Sequence, residues 1–142
     1  MNAYMDTSVI LRRLLGESDS LQPWGGWDRV YTSVLTRVEY FRVVDRLRLE
    51  SMINDAERVA LQESFNIFWQ TSYRVPLSDS ILIRAAQPFP TIVGSLDALH
   101  LTSALAVRAS GVNEITVLTH DKQLGRAAAA VELPVLGVAL VV

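Results

Sequence analysis

Asn2-Ala3-Tyr4-Met5-Asp6-Thr7-Ser8-Val9-Ile10-Leu11-Arg12-Arg13-Leu14-Leu15-Gly16 is the stretch on which the fold class turns. Asn2 to Met5 is short and apolar-leaning, Asp6-Thr7-Ser8 is polar, and the apolar run from Val9 to Leu15 is closed by Gly16. Such an order reads as strand, polar turn, helix. The pattern recurs along the chain. Val30-Tyr31-Thr32-Ser33 offers a second short strand after the Pro- and Gly-broken loop Gln22-Pro23-Trp24-Gly25-Gly26-Trp27. From Leu35 to Leu49 the apolar positions Leu35, Val38, Phe41, Val44 and Leu47 recur at threes, which predicts an amphipathic helix carrying Glu39.

Further on, Asn54-Asp55-Ala56-Glu57 has the form of a capping box and opens a helix through Phe65, Phe68 and Trp69 to Thr71. Tyr73-Arg74-Val75 is a short strand ended by Pro76, and Ser78 caps a helix that runs to Ala86. After a loop from Phe89 to Gly94, Ser95 is expected to cap a strongly helical segment from Leu96 to Val107, with Gly111 as its stop. Ile115 to Thr119 is a buried-type strand, Asp121 to Ala130 a helix and Pro134 to Val138 a last strand. Strands and helices in alternation imply βαβ units, right-handed crossovers and an α/β fold whose mostly parallel sheet is covered on both faces. The whole chain, 1–142, is expected to form one domain.

Half of the residues are apolar and a fifth are charged, a composition able to offset the entropy of ordering. No cysteine is present, so thiolate metal sites and disulfides are excluded and any metal must be held by oxygen or histidine. The N-terminal residues lack the basic and apolar regions of a secretory signal, and no apolar run approaches the roughly 20 residues that span a bilayer. A cytoplasmic protein without membrane contact is expected. The formal net charge of −2 argues against broad electrostatic adhesion to nucleic acid, so such a substrate would have to be captured locally.

In an open parallel sheet, ligands bind beyond the carboxyl ends of the strands. Asp6 and Asp121 each follow a predicted strand there, Asp97 begins a helix after a loop, and Glu39 lies on the first turns of the helix after the second strand. Each has an ordinary alternative: Asp6 and Asp121 stand where aspartate caps helices, Asp97 where it complements a helix dipole, and Glu39 where it is simply solvated. If all four converge, their mutual repulsion calls for a cation, and Mg²⁺ or Mn²⁺ suits an all-oxygen set and a phosphodiester substrate.

The succession Asp6-Thr7-Ser8, Arg37-Val38-Glu39, Leu96-Asp97-Ala98-Leu99-His100-Leu101 and Leu118-Thr119-His120-Asp121 resembles the PIN-domain family over nearly the whole chain. Asp97 to Ala104 and the Thr119-x-Asp121 step look most like VapC toxins of VapBC toxin–antitoxin pairs. The resemblance implies a three-layer α/β/α fold and an Mg²⁺-dependent endoribonuclease, with Mn²⁺ as an alternative ion. It also implies an RNA substrate and inhibition by a VapB-like antitoxin. Carried over by position, Asp6 and Asp97 would be the principal metal ligands, Glu39 and Asp121 the remaining acids, and Thr119 with Thr7 or Ser8 would orient waters or ligands. His100 and His120 are read as structural or rim residues, and Trp24 and Trp27 as core residues or as anchors for RNA bases or an antitoxin peptide. The apolar face Val38, Phe41, Val44 and Leu47 suggests a homodimer. The alternatives are a PIN nuclease of RNA processing without an antitoxin, and a non-catalytic α/β signalling or binding module whose acids are caps.

Overall fold

The computed structural model describes residues 1–140. In chain order the elements are β1 (Asn2–Met5), α1 (Thr7–Leu14), β2 (Arg29–Ser33), α2 (Leu35–Leu49), α3 (Asp55–Thr71), β3 (Tyr73–Val75), α4 (Asp79–Ala85), α5 (Ser95–Ala109), β4 (Ile115–Leu118), α6 (Lys122–Ala130) and β5 (Val135–Leu136). Among the described residues the strands form one sheet, ordered β3-β2-β1-β4-β5, and every pairing is parallel. None of the described helices is long and apolar enough to cross a membrane.

Strand periodicity sets the layers. Side chains alternate between the faces of a strand, so Tyr4 of β1 enters one core with Tyr31, Ile115 and Val117, where Leu101 and Ala104 of α5 and Leu124 and Ala127 of α6 cover them. Ala3 and Met5 enter the other core with Leu118, beneath Val9 and Ile10 of α1, Tyr40 and Val44 of α2, and Leu61 and Phe65 of α3. The result is the expected α/β/α sandwich, with β1 and β4 buried on both faces.

Sheet order also fixes where a ligand can enter. The chain steps outward from β1 to β2 and β3, then returns through α4 and α5 to place β4 on the other side of β1. Successive connections therefore part company at the β1–β4 pair. This is a topological switch point, where a crevice opens beyond the carboxyl ends of the strands.

Three differences from the sequence reading have physical causes. On α2 the fully buried stripe is Thr36, Tyr40 and Val44, whereas Val38 is 58% exposed. Polar groups tolerate this stripe because they are satisfied locally. The Thr32 hydroxyl donates to the Met5 carbonyl at 2.8 Å and lies 2.7 Å from that of Thr36, while Tyr40 donates to the Leu61 carbonyl at 2.8 Å. The residues on which self-association was expected thus divide between core and surface. Second, α5 is capped at Gly94 and not at Ser95; Ser95 lies inside the first turn, and the Gly94 carbonyl accepts from Ala98 N at 2.8 Å. Third, the last strand keeps only Val135 and Leu136, because the chain turns at Gly137 with φ 102°. The capping box at Asn54 and the Ser78 cap form as expected.

Phe65 is fully buried, its ring 4.4 Å from that of Tyr40 and stacked at 5.3 Å on Trp69. Phe65→Ala is expected to cost about 3–5 kcal/mol in urea unfolding, through lost burial and the cavity left behind. A loss below about 1 kcal/mol would mean that the face made by α2 and α3 is not a packed core.

Candidate active site

Asp6 occupies the first position after β1 and the N-cap position of α1, yet its side chain makes no capping bond. Its Oδ2 instead accepts from the Ser8 hydroxyl at 2.7 Å and from the Thr119 hydroxyl at 2.8 Å. Each hydroxyl also accepts from a backbone amide: His120 N reaches Ser8 Oγ at 3.0 Å, and Asp121 N reaches Thr119 Oγ1 at 3.0 Å. An amide N–H can only donate, so both hydroxyl protons are committed to Asp6. Asp6 is therefore pinned on one oxygen, and the β4–α6 junction is tied to the end of β1.

The other Asp6 oxygen, Oδ1, lies 3.5 Å from His100 Nε2. His100 is 1% exposed and sits at the centre of the cluster, with Nε2 at 2.6 Å from Glu39 Oε1 and Nδ1 at 2.8 Å from the Tyr4 hydroxyl. Thr7 donates to the same Glu39 oxygen at 2.7 Å. Burial pushes the Glu39 carboxyl up, but the hydrogen bonds and charge of His100, with Thr7, more than offset this and hold it below its usual range. For His100 burial works downward, and the surrounding carboxylates of Glu39, Asp6 and Asp97 reverse it, so the imidazole is held above its usual range.

Asp97, in the first turn of α5, has no such partner among the described residues. Burial, followed by the charges of Asp121 and Asp6, pushes its carboxyl up to about 6; His100 pulls the other way and Glu39 adds to the rise. Asp121 uses Oδ1 to cap α6, accepting from Leu124 N at 3.0 Å. Its backbone nonetheless belongs to the Asp6 network. The four acids from widely separated segments thus share one electrostatic neighbourhood.

Among the described residues, no three His, Asp or Glu side chains stand together as a preformed metal-binding group. Glu39 is turned onto His100 and Thr7, and Asp6 Oδ2 onto the two hydroxyls. The donor chemistry still fits a hard divalent cation. Mg²⁺ keeps most of its waters and needs only one or two carboxylates, and positive charge beside Asp97 would relieve the repulsion that raises its pKa.

The sequence reading placed Asp6, Glu39, Asp97 and Asp121 here, with Thr7, Ser8 and Thr119 in supporting positions, and the structure brings all seven to this crevice. His100, expected as a structural or rim residue, is buried at the centre of the cluster and not on its rim; its place one turn beyond Asp97 on α5 was the available signal. Trp24 and Trp27 pack edge to face at 5.2 Å beside a hollow of about 380 Å³ that they line with Arg13, Ile67 and Phe68.

A parallel α/β/α sheet with acids gathered at its switch point defines a class, and the model of the PIN domain matches residues 3–130. The chain belongs to the PIN-domain family. It is 30% identical to Ribonuclease VapC47 of Mycobacterium tuberculosis (strain CDC 1551 / Oshkosh), across 85% of each chain. Its fold is similar to that of a chain in the crystal structure of VapBC2 from Rickettsia felis bound to a DNA fragment from their promoter. That match has a TM-score of 0.64 and 16% identity, covering 96% of this chain and 98% of that one.

Because folding raises the Asp97 pKa, the charged carboxylate opposes folding as pH rises through about 6, and the penalty vanishes toward pH 4. In metal-free protein at pH 8, Asp97→Asn is expected to add about 1 kcal/mol of stability; solvent screening at this half-buried side chain brings the gain well below the full linkage value. Urea unfolding at both pH values checks this. A variant no more stable than the parent at pH 8 would show that neither burial nor the neighbouring acids penalise the charged Asp97 carboxylate.

Proposed function

We propose that this chain, taken as one nuclease domain, is a divalent-metal-dependent endoribonuclease acting as the toxin of a type II toxin–antitoxin pair. The observation that carries the reading is the use of Asp6. It stands where a helix cap is expected and leaves that task undone, held by Ser8 and Thr119 beside His100, Glu39 and Asp97. A carboxylate that only capped α1 would have no need of three further segments. The match to the PIN domain and the likeness to a named VapC ribonuclease support the same reading.

In this reading Asp6 and Asp97 are the principal ligands of an Mg²⁺ or Mn²⁺ ion, with Glu39 and Asp121 as the remaining acids. When bound, such an ion supplies charge stabilisation at the scissile phosphate and lowers the pKa of an attacking water. The chain supplies order. Ser8 and Thr119 hold Asp6 on one oxygen, leaving the other toward the cluster; His100 and Thr7 hold Glu39; and half-buried Asp97 stands at the start of α5 with no hydrogen-bond partner of its own among the described residues. No protein nucleophile is required. A VapB-like antitoxin, a cytoplasmic location and a homodimer belong to the same proposal; the likeness of this fold to a chain in the VapBC2 structure from Rickettsia felis supports the antitoxin partner.

Asp6→Asn and Asp97→Asn are each expected to reduce cleavage of labelled RNA to below about 1% of parent, a rise of more than about 2.7 kcal/mol in the barrier, while circular dichroism stays unchanged. EDTA should stop the parent protein, and added Mg²⁺ or Mn²⁺ should restore it. Cleavage that persists in either variant, or that ignores chelation, would overturn the proposal. Co-expression with the product of an adjacent small gene should relieve growth arrest if the chain is a toxin.

A further inference from the structure

Beyond β5 the chain folds back over the β4–α6 junction and touches it at every step. The Leu136 carbonyl accepts from Thr119 N at 3.0 Å, and the Gly137 carbonyl accepts from His120 Nδ1 at 2.7 Å. Since a carbonyl only accepts, Nδ1 carries the proton; Nε2 is buried without a protein partner among the described residues, so Nδ1 alone holds the ring. Gly137 has φ 102°, and a Cβ there would lie 2.5 Å from the Thr119 carbonyl oxygen. Glycine is required on both counts.

The next contact explains a glycine that is costly on propensity grounds. Gly125 lies inside α6, where glycine is less favourable than alanine by about 1 kcal/mol. A Cβ at that position would meet the Val138 side chain at 2.6 Å and that of Leu140 at 3.2 Å. Its absence lets Val138 and Leu140 settle on the helix.

We infer that residues 135–138 form a clasp, with His120 and Gly137 as positioning residues, that sets where Thr119 and Asp121 stand relative to Asp6. The logic is geometric. One side of the segment Thr119-His120-Asp121 is bound to Leu136 and Gly137; the other carries His120 N to Ser8, Asp121 N to Thr119 Oγ1 and Thr119 Oγ1 to Asp6. A shift of the clasp is transmitted through two hydroxyls to one carboxylate oxygen. The inference rests on the metal-dependent reading above for its functional consequence, though not for its structural one.

The test compares His120→Ala, His120→Asn, His120→Gln and Gly137→Ala in the full chain. Asparagine presents its amide donor near the place of Nδ1, whereas glutamine presents it nearer that of Nε2. By calorimetric titration with Mn²⁺, His120→Ala, His120→Gln and Gly137→Ala are expected to bind about tenfold or more weakly than parent, with His120→Asn restored to near parent affinity. Hydrogen exchange at the Asp121 amide should quicken in the same three variants and not in His120→Asn. Equal Mn²⁺ affinity and equal exchange across the set would overturn the clasp, as would rescue by glutamine in place of asparagine. Should Gly137→Ala fail to fold, the asparagine–glutamine pair decides. Absence of Mn²⁺ binding by the parent protein would instead sink the metal-dependent reading, and the exchange data would still judge the clasp.

Discussion

One carboxylate oxygen organises the site. Asp6 Oδ2 receives two hydroxyl protons, and each hydroxyl is itself oriented by a backbone amide that has no choice of role. A charge-accepting bond of this kind is worth more than a neutral one, and chains of such bonds polarise each other. The end of β1, the start of α1 and the β4–α6 junction are therefore one unit. Parallel pairing of β1 with β4, from Asn2 opposite Ile115 to Met5 opposite Leu118, delivers both ends at the same height. The sheet register is thus a condition of the chemistry as well as of the fold.

Against this ordered half stands an unsatisfied one. Glu39 is balanced by His100, whereas Asp97 is half-buried among like charges with no ion pair of its own among the described residues. Folding tolerates the conflict because two apolar cores, one on each face of the sheet, are large enough to hold the strands in place. On the proposed reading, a divalent cation would relieve the cost of burying Asp97 beside other carboxylates. Neutralising Asp97 would make a steadier protein and a poorer site.

How much of this could be read in advance depends on the range of the cause. Helix and strand order was legible because hydrophobic period and caps act within a few residues, as at Asn54, Ser78 and Asp121, which cap in the structure as they do in the sequence. Asp6 and Asp121 were legible as candidates because they follow strands whose direction the βαβ pattern implies, whereas Asp97 and Glu39 lie on helices and needed the wider succession of motifs. What escaped was set by distant partners. Thr36 is buried because its hydroxyl meets that of Thr32, which is itself fixed by the Met5 carbonyl of β1, and a count of apolar spacing could only choose Val38. His100 is central because Glu39 and Tyr4 happen to flank it. Gly125 is needed because Val138 and Leu140 lie on it, and Gly137 because it approaches the Thr119 carbonyl, and nothing local says so.

The net negative charge, which argued against a polyanionic substrate, looks different once the pairings are known. Arg12 is engaged by Glu17 and Asp19, Arg42 and Arg48 by Asp45, and Arg46 by Glu50. Five other arginines lie over aromatic rings: Arg13 on Trp24, Arg29 on Tyr73, Arg37 on Phe41, Arg74 on Trp69 and Arg84 on Phe89. A ring face attracts a guanidinium without cancelling its charge. Arg13, Arg29, Arg37 and Arg74 are exposed and so keep donors free for phosphate, unlike Arg84 with its buried Nη1, whereas the carboxylates that set the overall sign are largely spent in surface pairs or gathered near Asp6. Mean charge is then a poor guide to this surface, because the positive groups are placed on rigid aromatic supports and the negative ones on each other's partners. For a nuclease of the proposed kind, local capture of RNA needs only that asymmetry.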